Sequence, residues 1–207
     1  RAGERAGGRA RGRAGGRASE RVSERASEHL WRVEIRTCAF ISTHGGALMN
    51  SGAAATYAGL ITLGSASSIL GGTGTIAITH VGTITGSGFG LTLGGAQGGS
   101  LVSIVGTDSG TLTKTDAGTW TMSGASTYTG TTTVTSGNLI VTSIGGGAGA
   151  SSLGSGSAAF VYNPGDADLN PLIYVGPGET ATRSLTLTSS ADQTANRSYR
   201  LVADGSG

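Results

Sequence analysis

A short run of oxygen-bearing side chains has the spacing of a metal-binding loop. Asp166, Asp168 and Asn170 stand at alternate positions, as do the first three ligands of a calcium loop, D-x-D-x-N. Such a loop continues with Gly and ends with a bidentate Glu at its twelfth position. The chain has Pro171 and Pro177 at those two places. We therefore interpret the run as a polar turn and predict no metal site.

Histidine is the next candidate for chemistry, and the chain contains His29, His44 and His80. No H-E-x-x-H motif or other paired-ligand spacing is present. Only the fold can bring His80 together with Asp108 and a serine as a catalytic triad, and no G-x-S-x-G nucleophile elbow is present. We predict no catalytic residue and no cofactor-binding residue.

Acidic side chains are scarce in the middle of the chain. Enzymes that hydrolyse carbohydrates use a pair of neighbouring carboxylates. Residues 45–165 contain only Asp108, Asp116 and the basic Lys114 as charged side chains. A carbohydrate-active enzyme would have to use these two carboxylates across a turn, and it is the least favoured alternative.

Threonine is unusually dense in the same region. Twelve of the 29 residues from Thr107 to Thr135 are Thr, often two positions apart, as in Thr119 and Thr121. Residues two apart point to the same side of a strand. Stacked strands would join them into a flat face of hydroxyl and methyl groups, which suits a glycan-binding adhesin. The simpler interpretation is the high β-propensity of Thr on an exposed face.

The elements that must position these side chains are short β-strands. From about Gly45 onward, large apolar residues recur two positions apart between Gly-rich turns, which indicates strands with one buried face. The pairs are Ile61/Leu63, Ile76/Ile78, Leu91/Leu93, Trp120/Met122, Leu139/Val141 and Leu185/Leu187. Gly at this density opposes helix, so we predict an all-β fold.

Strands that bury two side chains each favour a solenoid over a sandwich, because a stacked coil needs only its neighbours to form a core. The first three pairs begin at 61, 76 and 91, and later intervals vary. Parallel β-helices accommodate such variation in their turns. We predict a parallel β-helix of roughly 7–8 short coils, with a β-sandwich as the second possibility.

The basic character of the chain comes from its first residues. Residues 1–36 hold ten Arg against five Glu, whereas residues 37–207 hold four basic side chains against seven acidic ones. We expect no nucleic-acid binding, because the body lacks the basic stripe that phosphate contacts need. Residues 1–44 form a low-complexity Arg/Ala/Gly/Glu tail, which we predict to be disordered or non-native.

One segment carries a recognisable motif. Residues 110–142 resemble the autotransporter-associated β-strand repeat, also called the passenger-associated transport repeat. The positions that fall on its pattern are Lys114, Gly118, Thr119, Trp120, Ser123, Gly124, Tyr128, Gly130, Thr132, Val134, Gly137 and Leu139. The chain departs from the pattern at Asp116, where Gly is usual, at Met122 for Leu and at Ser126 for Asn.

The resemblance implies a β-helical stalk in a secreted or surface-exposed passenger of a Gram-negative bacterium. It also implies a covalent continuation into a C-terminal membrane β-barrel. Within the repeat, Trp120 and Met122 are expected inside the coil, and Gly124 and Gly130 at its corners. Tyr128 is expected inside or on a neighbouring face.

Residues 45–207 are thus predicted to be a β-helical passenger fragment with one full repeat at 110–142. The predicted function is a structural stalk or spacer without enzymatic activity, located outside the cell or at the outer membrane. The alternative is a glycan-binding adhesin that uses the Thr119 and Thr121 face. Its expected partners are surface glycans or host and matrix components.

Overall fold

A computed structural model describes residues 32–35, 48–146, 149–155, 159–162, 172–187 and 201–203. Its regular elements in these ranges are strands, and no helix occurs in them. The strands are β1 (Arg32–Ile35), β2 (Leu48–Asn50), β3 (Ala55–Tyr57), β4 (Leu60–Leu63), β5 (Ser67–Gly71), β6 (Ile76–Ile78), β7 (Thr83–Thr85), β8 (Leu91–Gly94), β9 (Gly98–Leu101), β10 (Ile104–Gly106), β11 (Leu112–Lys114), β12 (Thr119–Met122), β13 (Thr132–Val134), β14 (Leu139–Val141), β15 (Phe160–Tyr162), β16 (Leu172–Tyr174), β17 (Leu185–Leu187) and β18 (Leu201–Ala203).

The strands form three parallel sheets that the chain visits in turn. The first sheet has the order β17-β15-β13-β11-β8-β5-β2, and the second has the order β18-β16-β14-β12-β9-β6-β3. The third sheet has the order β1-β4-β7-β10. Consecutive strands along the chain lie in different sheets. Up to β10 each coil adds one strand to each side, and later coils add strands to the first and second sheets. This confirms the predicted parallel β-solenoid. It completes about six turns, fewer than the roughly 7–8 coils predicted because the later coils are longer, and it is roughly 30 Å long at about 4.8 Å per strand.

The coils are held in register by strand pairing. Leu91 of β8 pairs with Leu112 of β11, and Ile78 of β6 pairs with Leu101 of β9. Burial alternates along the strands, with both ends of β11 inside and Thr113 between them half-buried. The core is therefore a set of columns in which each apolar side chain lies on the equivalent side chain of the next coil.

Glycine occupies the corner between the first and second sheets because the backbones of neighbouring coils touch there. A Cβ atom on Gly118 would overlap the carbonyl oxygen of Gly95 in the preceding coil. The Gly118 amide donates a hydrogen bond to that same oxygen at 3.0 Å. A side chain at this position would force the two coils apart.

The third side changes character after β10. Residues 123–131 lie in the place of a fifth strand of this sheet, and the amide of Thr127 donates to the carbonyl oxygen of Val105 in β10 at 2.9 Å. In the next coil Ser151 forms an isolated antiparallel bridge with Ser126. The third side is thus a sheet in the first coils and a stack of irregular segments in the later ones.

Of the predicted tail, residues 1–44, the structure describes only β1. Arg32–Ile35 pair in parallel with Leu60–Leu63 of β4. The rest of residues 1–44 lies outside the described ranges, so the predicted character of the tail stays a prediction.

Candidate functional site

The candidate catalytic residues have local structural roles. The Nδ1 atom of half-buried His80 accepts a hydrogen bond from the amide of Gly82 at 2.9 Å, which closes the turn before β7. Asp108 and Asp116 are exposed and lie at opposite ends of β11, at separate corners of the coil. In the described ranges no three His, Cys, Asp or Glu side chains come together as a metal site.

The other sequence candidates fall where the structure gives no description. Asp166, Asp168 and Asn170 of the calcium-loop-like run lie outside the described ranges, as do His29 and His44. The prediction of an ordinary polar turn at the first three stays a prediction.

The distinctive group of the repeat is a buried lysine. Lys114 occupies an inward position between Leu93 and Val134, and its side chain is fully buried. Its Nζ atom donates hydrogen bonds to the carbonyl oxygens of Thr115 at 2.5 Å, Asp116 at 2.7 Å and Ser136 at 2.9 Å. An ammonium group has three protons to donate, so these oxygens satisfy all of them.

The three acceptors of Lys114 belong to two coils. Thr115 and Asp116 form the corner of its own coil, whereas Ser136 lies at the same corner of the next coil. Gly137 follows with φ of +68°, and a Cβ atom there would overlap both the Lys114 Nζ atom and the Asp116 carbonyl oxygen. The buried ammonium therefore joins two stacked corners, and glycine at 137 makes room for it.

Asp116 explains one departure from the family pattern. Its φ is +58°, in the left-handed region that glycine adopts most easily and that Asp tolerates better than most residues. Its Oδ2 atom accepts a hydrogen bond from the amide of Gly95, in the preceding coil, at 2.6 Å. The side chain thus adds a bond between coils at a position where the repeat usually has none.

A hydrogen bond of Trp120 joins the coil that contains Lys114 to the preceding coil. Its side chain is fully buried, and Nε1 donates to the carbonyl oxygen of Gly94 at 3.0 Å. In the second sheet Trp120 pairs with Gly99 on one side and Leu139 on the other. Trp120 is the largest fully buried side chain among the described residues, and its neighbour in the preceding coil, Gly99, has no side chain to compete for the space.

Tyr128 lies inside the coil, which decides between the two positions left open by the sequence. Its side chain is fully buried, and its hydroxyl group shares a 2.6 Å hydrogen bond with the buried hydroxyl of Thr132. Burial raises the pKa of the Tyr128 phenol above its ordinary value. The bond to Thr132 and the positive charge of Arg183 lower it by smaller amounts.

The remaining expectations for the repeat concern its faces and corners. Trp120 and Met122 are buried as predicted, and Thr121 points outward and is half-buried. Gly124 and Gly130 lie where a Cβ atom would overlap backbone oxygens of the preceding coil, which fits their predicted corner positions.

Sequence reasoning missed the burial of Lys114. The signal was present, since Lys114 stands two positions after Leu112 in a strand and therefore faces the same way. It also missed Arg183, which donates hydrogen bonds to the carbonyl oxygens of Ile144 and Gly154 from about 30 to 40 residues away along the chain. No local pattern predicts that contact.

Comparison with known proteins identifies the repeat. Residues 112–141 match the family described as Passenger-associated-transport-repeat. Searches of curated proteins and of solved structures gave no match. Within the described part of the chain, no helix is long and apolar enough to span a membrane. The chain is a parallel β-solenoid that carries a passenger-associated transport repeat, and both features fit the stalk of an autotransporter passenger.

Replacing Lys114 tests the contribution of the buried ammonium. Lys114→Met keeps the length of the side chain but removes three hydrogen bonds, and we expect the free energy of unfolding to fall by at least about 1.5–3 kcal/mol, the range for one bond to a charged group. Urea unfolding of the full chain measures this fall. Thr113→Ala, on the outward side of the same strand, is the control and should change stability much less. An unchanged midpoint in Lys114→Met would show that the three bonds contribute nothing net.

The raised pKa of Tyr128 predicts a loss of stability in alkaline solution. An unfolded tyrosine ionises near pH 10. Since the folded pKa is higher, the contribution of Tyr128 is fully present below pH 10 and is lost as the pH rises above it, by up to about 1.4 kcal/mol per pH unit. Urea unfolding from pH 8.5 to 11.5 should show a steeper fall for the wild type than for Tyr128→Phe.

Tyr57, whose pKa burial also raises, is present in both proteins and cancels in this comparison. Equal slopes for the two proteins would mean that burial does not hold the Tyr128 phenol neutral.

Proposed function

We propose that the chain is a stalk segment of a secreted or surface-exposed autotransporter-like passenger, where it acts as a non-enzymatic spacer. The observation that carries the proposal is the direction of the polar groups in the repeat. Lys114, Trp120 and Tyr128 all point inward, and their polar atoms bond to the backbone or to another buried side chain. Groups used in this way hold coils together and present no reactive atom to a substrate.

The outer surface supports the same proposal. From Leu48 to Gly146 the chain has three charged side chains, and one of them, Lys114, is buried. The other two, Asp108 and Asp116, occupy strained corner positions with φ of 52° and 58°. A nearly neutral rod suits a spacer that presents another part of a passenger. The location outside the cell, and the continuation into a membrane-anchored part, are proposed from the repeat family.

Surface display tests the spacer function. We would place the full chain between an N-terminal epitope and the membrane anchor of an autotransporter in a Gram-negative host, and measure antibody binding on intact cells. We expect display of the epitope by both the wild type and the Asp108→Asn/Asp116→Asn double variant. Asn tolerates the left-handed conformation, so this variant removes only the carboxylate charges.

Two results would contradict the proposal. One is failure of the wild-type chain to present the epitope although a known passenger in the same vector does. The other is hydrolysis of a glycan by the purified chain that the double Asn variant abolishes, because the two carboxylates would then act as an acid–base pair.

A second candidate function rests on the outward face of the first sheet. The outward positions of β11 and β13 and of the residues flanking them hold six threonines in two adjacent rows, none of which is fully buried. The rows are Thr111, Thr113, Thr115 and Thr131, Thr133, Thr135. Pairing of Thr113 with Thr133 and with Thr92 of β8 keeps the columns in register.

This threonine face is a better adhesin candidate than the pair Thr119 and Thr121. On the second sheet, Thr121 lies between Ser100 and Ile140, so no threonine column forms there. The threonine face carries hydroxyl groups, and its six positions carry no charge, so it would suit a neutral glycan.

Glycan binding tests this second candidate. We expect an adhesin to lose at least tenfold in affinity for a neutral oligosaccharide when Thr113 and Thr133 are both replaced by Val, which keeps the shape and removes the hydroxyl groups. Thr121→Val is the matched control on the second sheet. Absence of binding to a panel of neutral glycans by the wild type would eliminate the adhesin and leave the spacer.

A further inference from the structure

The later coils are closed on the third side by contacts that differ from those in the rest of the rod. Residues 142–146 and 149–155, here called the loop, follow β14. Residues 176–184, here called the strap, follow β16 and lie against the loop. Among the described residues, no backbone–backbone hydrogen bond joins loop and strap. They are connected through the side chains of the strap.

Two charged side chains of the strap form hydrogen bonds with the backbone of the loop. The carboxylate of exposed Glu179 accepts hydrogen bonds from the amides of Ile144 and Gly145. The guanidinium of Arg183 donates from Nε to the carbonyl oxygen of Ile144 at 3.0 Å and from Nη2 to that of Gly154 at 2.9 Å. Nη2 also lies 3.4 Å from the Oγ atom of Ser151.

Loop and strap also approach closely without a hydrogen bond. A Cβ atom on Gly146 would overlap the hydroxyl oxygen of Thr182 in the strap. For Gly149, three residues further along, the nearest atom of the described residues to its own Cβ position is the Gly146 carbonyl oxygen at 3.9 Å. Neither glycine has φ in the left-handed region, so Ala at either position tests space alone.

The two halves of the loop are held differently. Ser151 exchanges two backbone hydrogen bonds with Ser126, at 2.8 and 3.2 Å, and the amide of Ser155 donates to the Tyr128 carbonyl oxygen at 2.9 Å. These bonds attach the second half to the coil of the repeat. The first half is joined to the second through side chains, since the Ser152 amide donates to Ser143 Oγ at 2.8 Å and Ser151 Oγ donates to the Ile144 carbonyl oxygen at 3.1 Å. The amides of Ile144 and Gly145, in contrast, are bonded to Glu179, which belongs to the strap.

We propose that the strap is a local closure that separates from the loop while the rest of the solenoid stays folded, which releases the Ile144 and Gly145 amides from Glu179. The closing bonds are made by exposed Glu179 and half-buried Arg183, and regions held by solvent-exposed hydrogen bonds open locally at a lower free energy than the buried core. The loop stays attached, because its second half is bonded to the coil of the repeat and its first half is bonded to the second. This device goes beyond the spacer function, since it assigns one place on the rod where backbone becomes accessible.

Hydrogen exchange of the full chain, resolved to single amides, tests the proposal. We expect the Ile144 and Gly145 amides to exchange at least tenfold faster in Arg183→Met and in Gly146→Ala than in the wild type. The amides of Ser151 and Ser155 should keep their wild-type rates. Gly149→Ala is the matched control for Gly146→Ala and should leave all of these rates unchanged.

The internal comparison keeps the proposal falsifiable. Equal acceleration of the Ile144 amide and of the amides in β11 and β13 would show that the strap opens only with the whole rod, which overturns the proposal. Unchanged Ile144 and Gly145 rates in both variants would also overturn it, because the strap would then not be what closes the loop.

Discussion

Register between coils is the constraint on which the structure depends. Every strand pairs in parallel with the equivalent strand of the next coil. Each inward side chain therefore packs against the side chain at the equivalent position of the next coil. Ile78, Leu101 and Met122 follow one another in this way. A polar side chain in such a column has apolar groups on both sides, so its partners must come from the corners. Lys114 is inside because three corner carbonyl groups point at it.

This constraint explains why the repeat is longer than one coil. Leu112 is paired with Thr132 in the next coil, yet the family match extends to residue 141. The buried lysine needs the carbonyl of Ser136 and the open space at Gly137, both in the following coil. A repeat that ended within the coil of Lys114 would lack the Ser136 carbonyl oxygen and the glycine at 137, and the ammonium group would be buried without one of its three hydrogen bonds.

Alternation along single strands was sufficient to predict the fold and the burial of Trp120 and Met122, because period two fixes which side chains share a face. The same rule places Lys114 inside, although charge suggests otherwise. The third side of the later coils was beyond prediction. Tyr128 and Ser151 lie in segments without alternation, and Arg183 contacts Ser151 and Gly154 from 32 and 29 positions away along the chain. Such contacts depend on which coils stack, and local sequence does not encode that.

Up to β15, differences in coil length are absorbed almost entirely on one side of the rod. The corner between the first and second sheets keeps nearly the same number of residues from β5–β6 to β13–β14, whereas the return path lengthens greatly between β14 and β15. Lys114 and Gly137 leave no room at the fixed corner for an inserted residue. Coils that carry the lysine corner can therefore diverge in outline through insertions on the third side, while the corner itself keeps its length and the coil above can still stack on it.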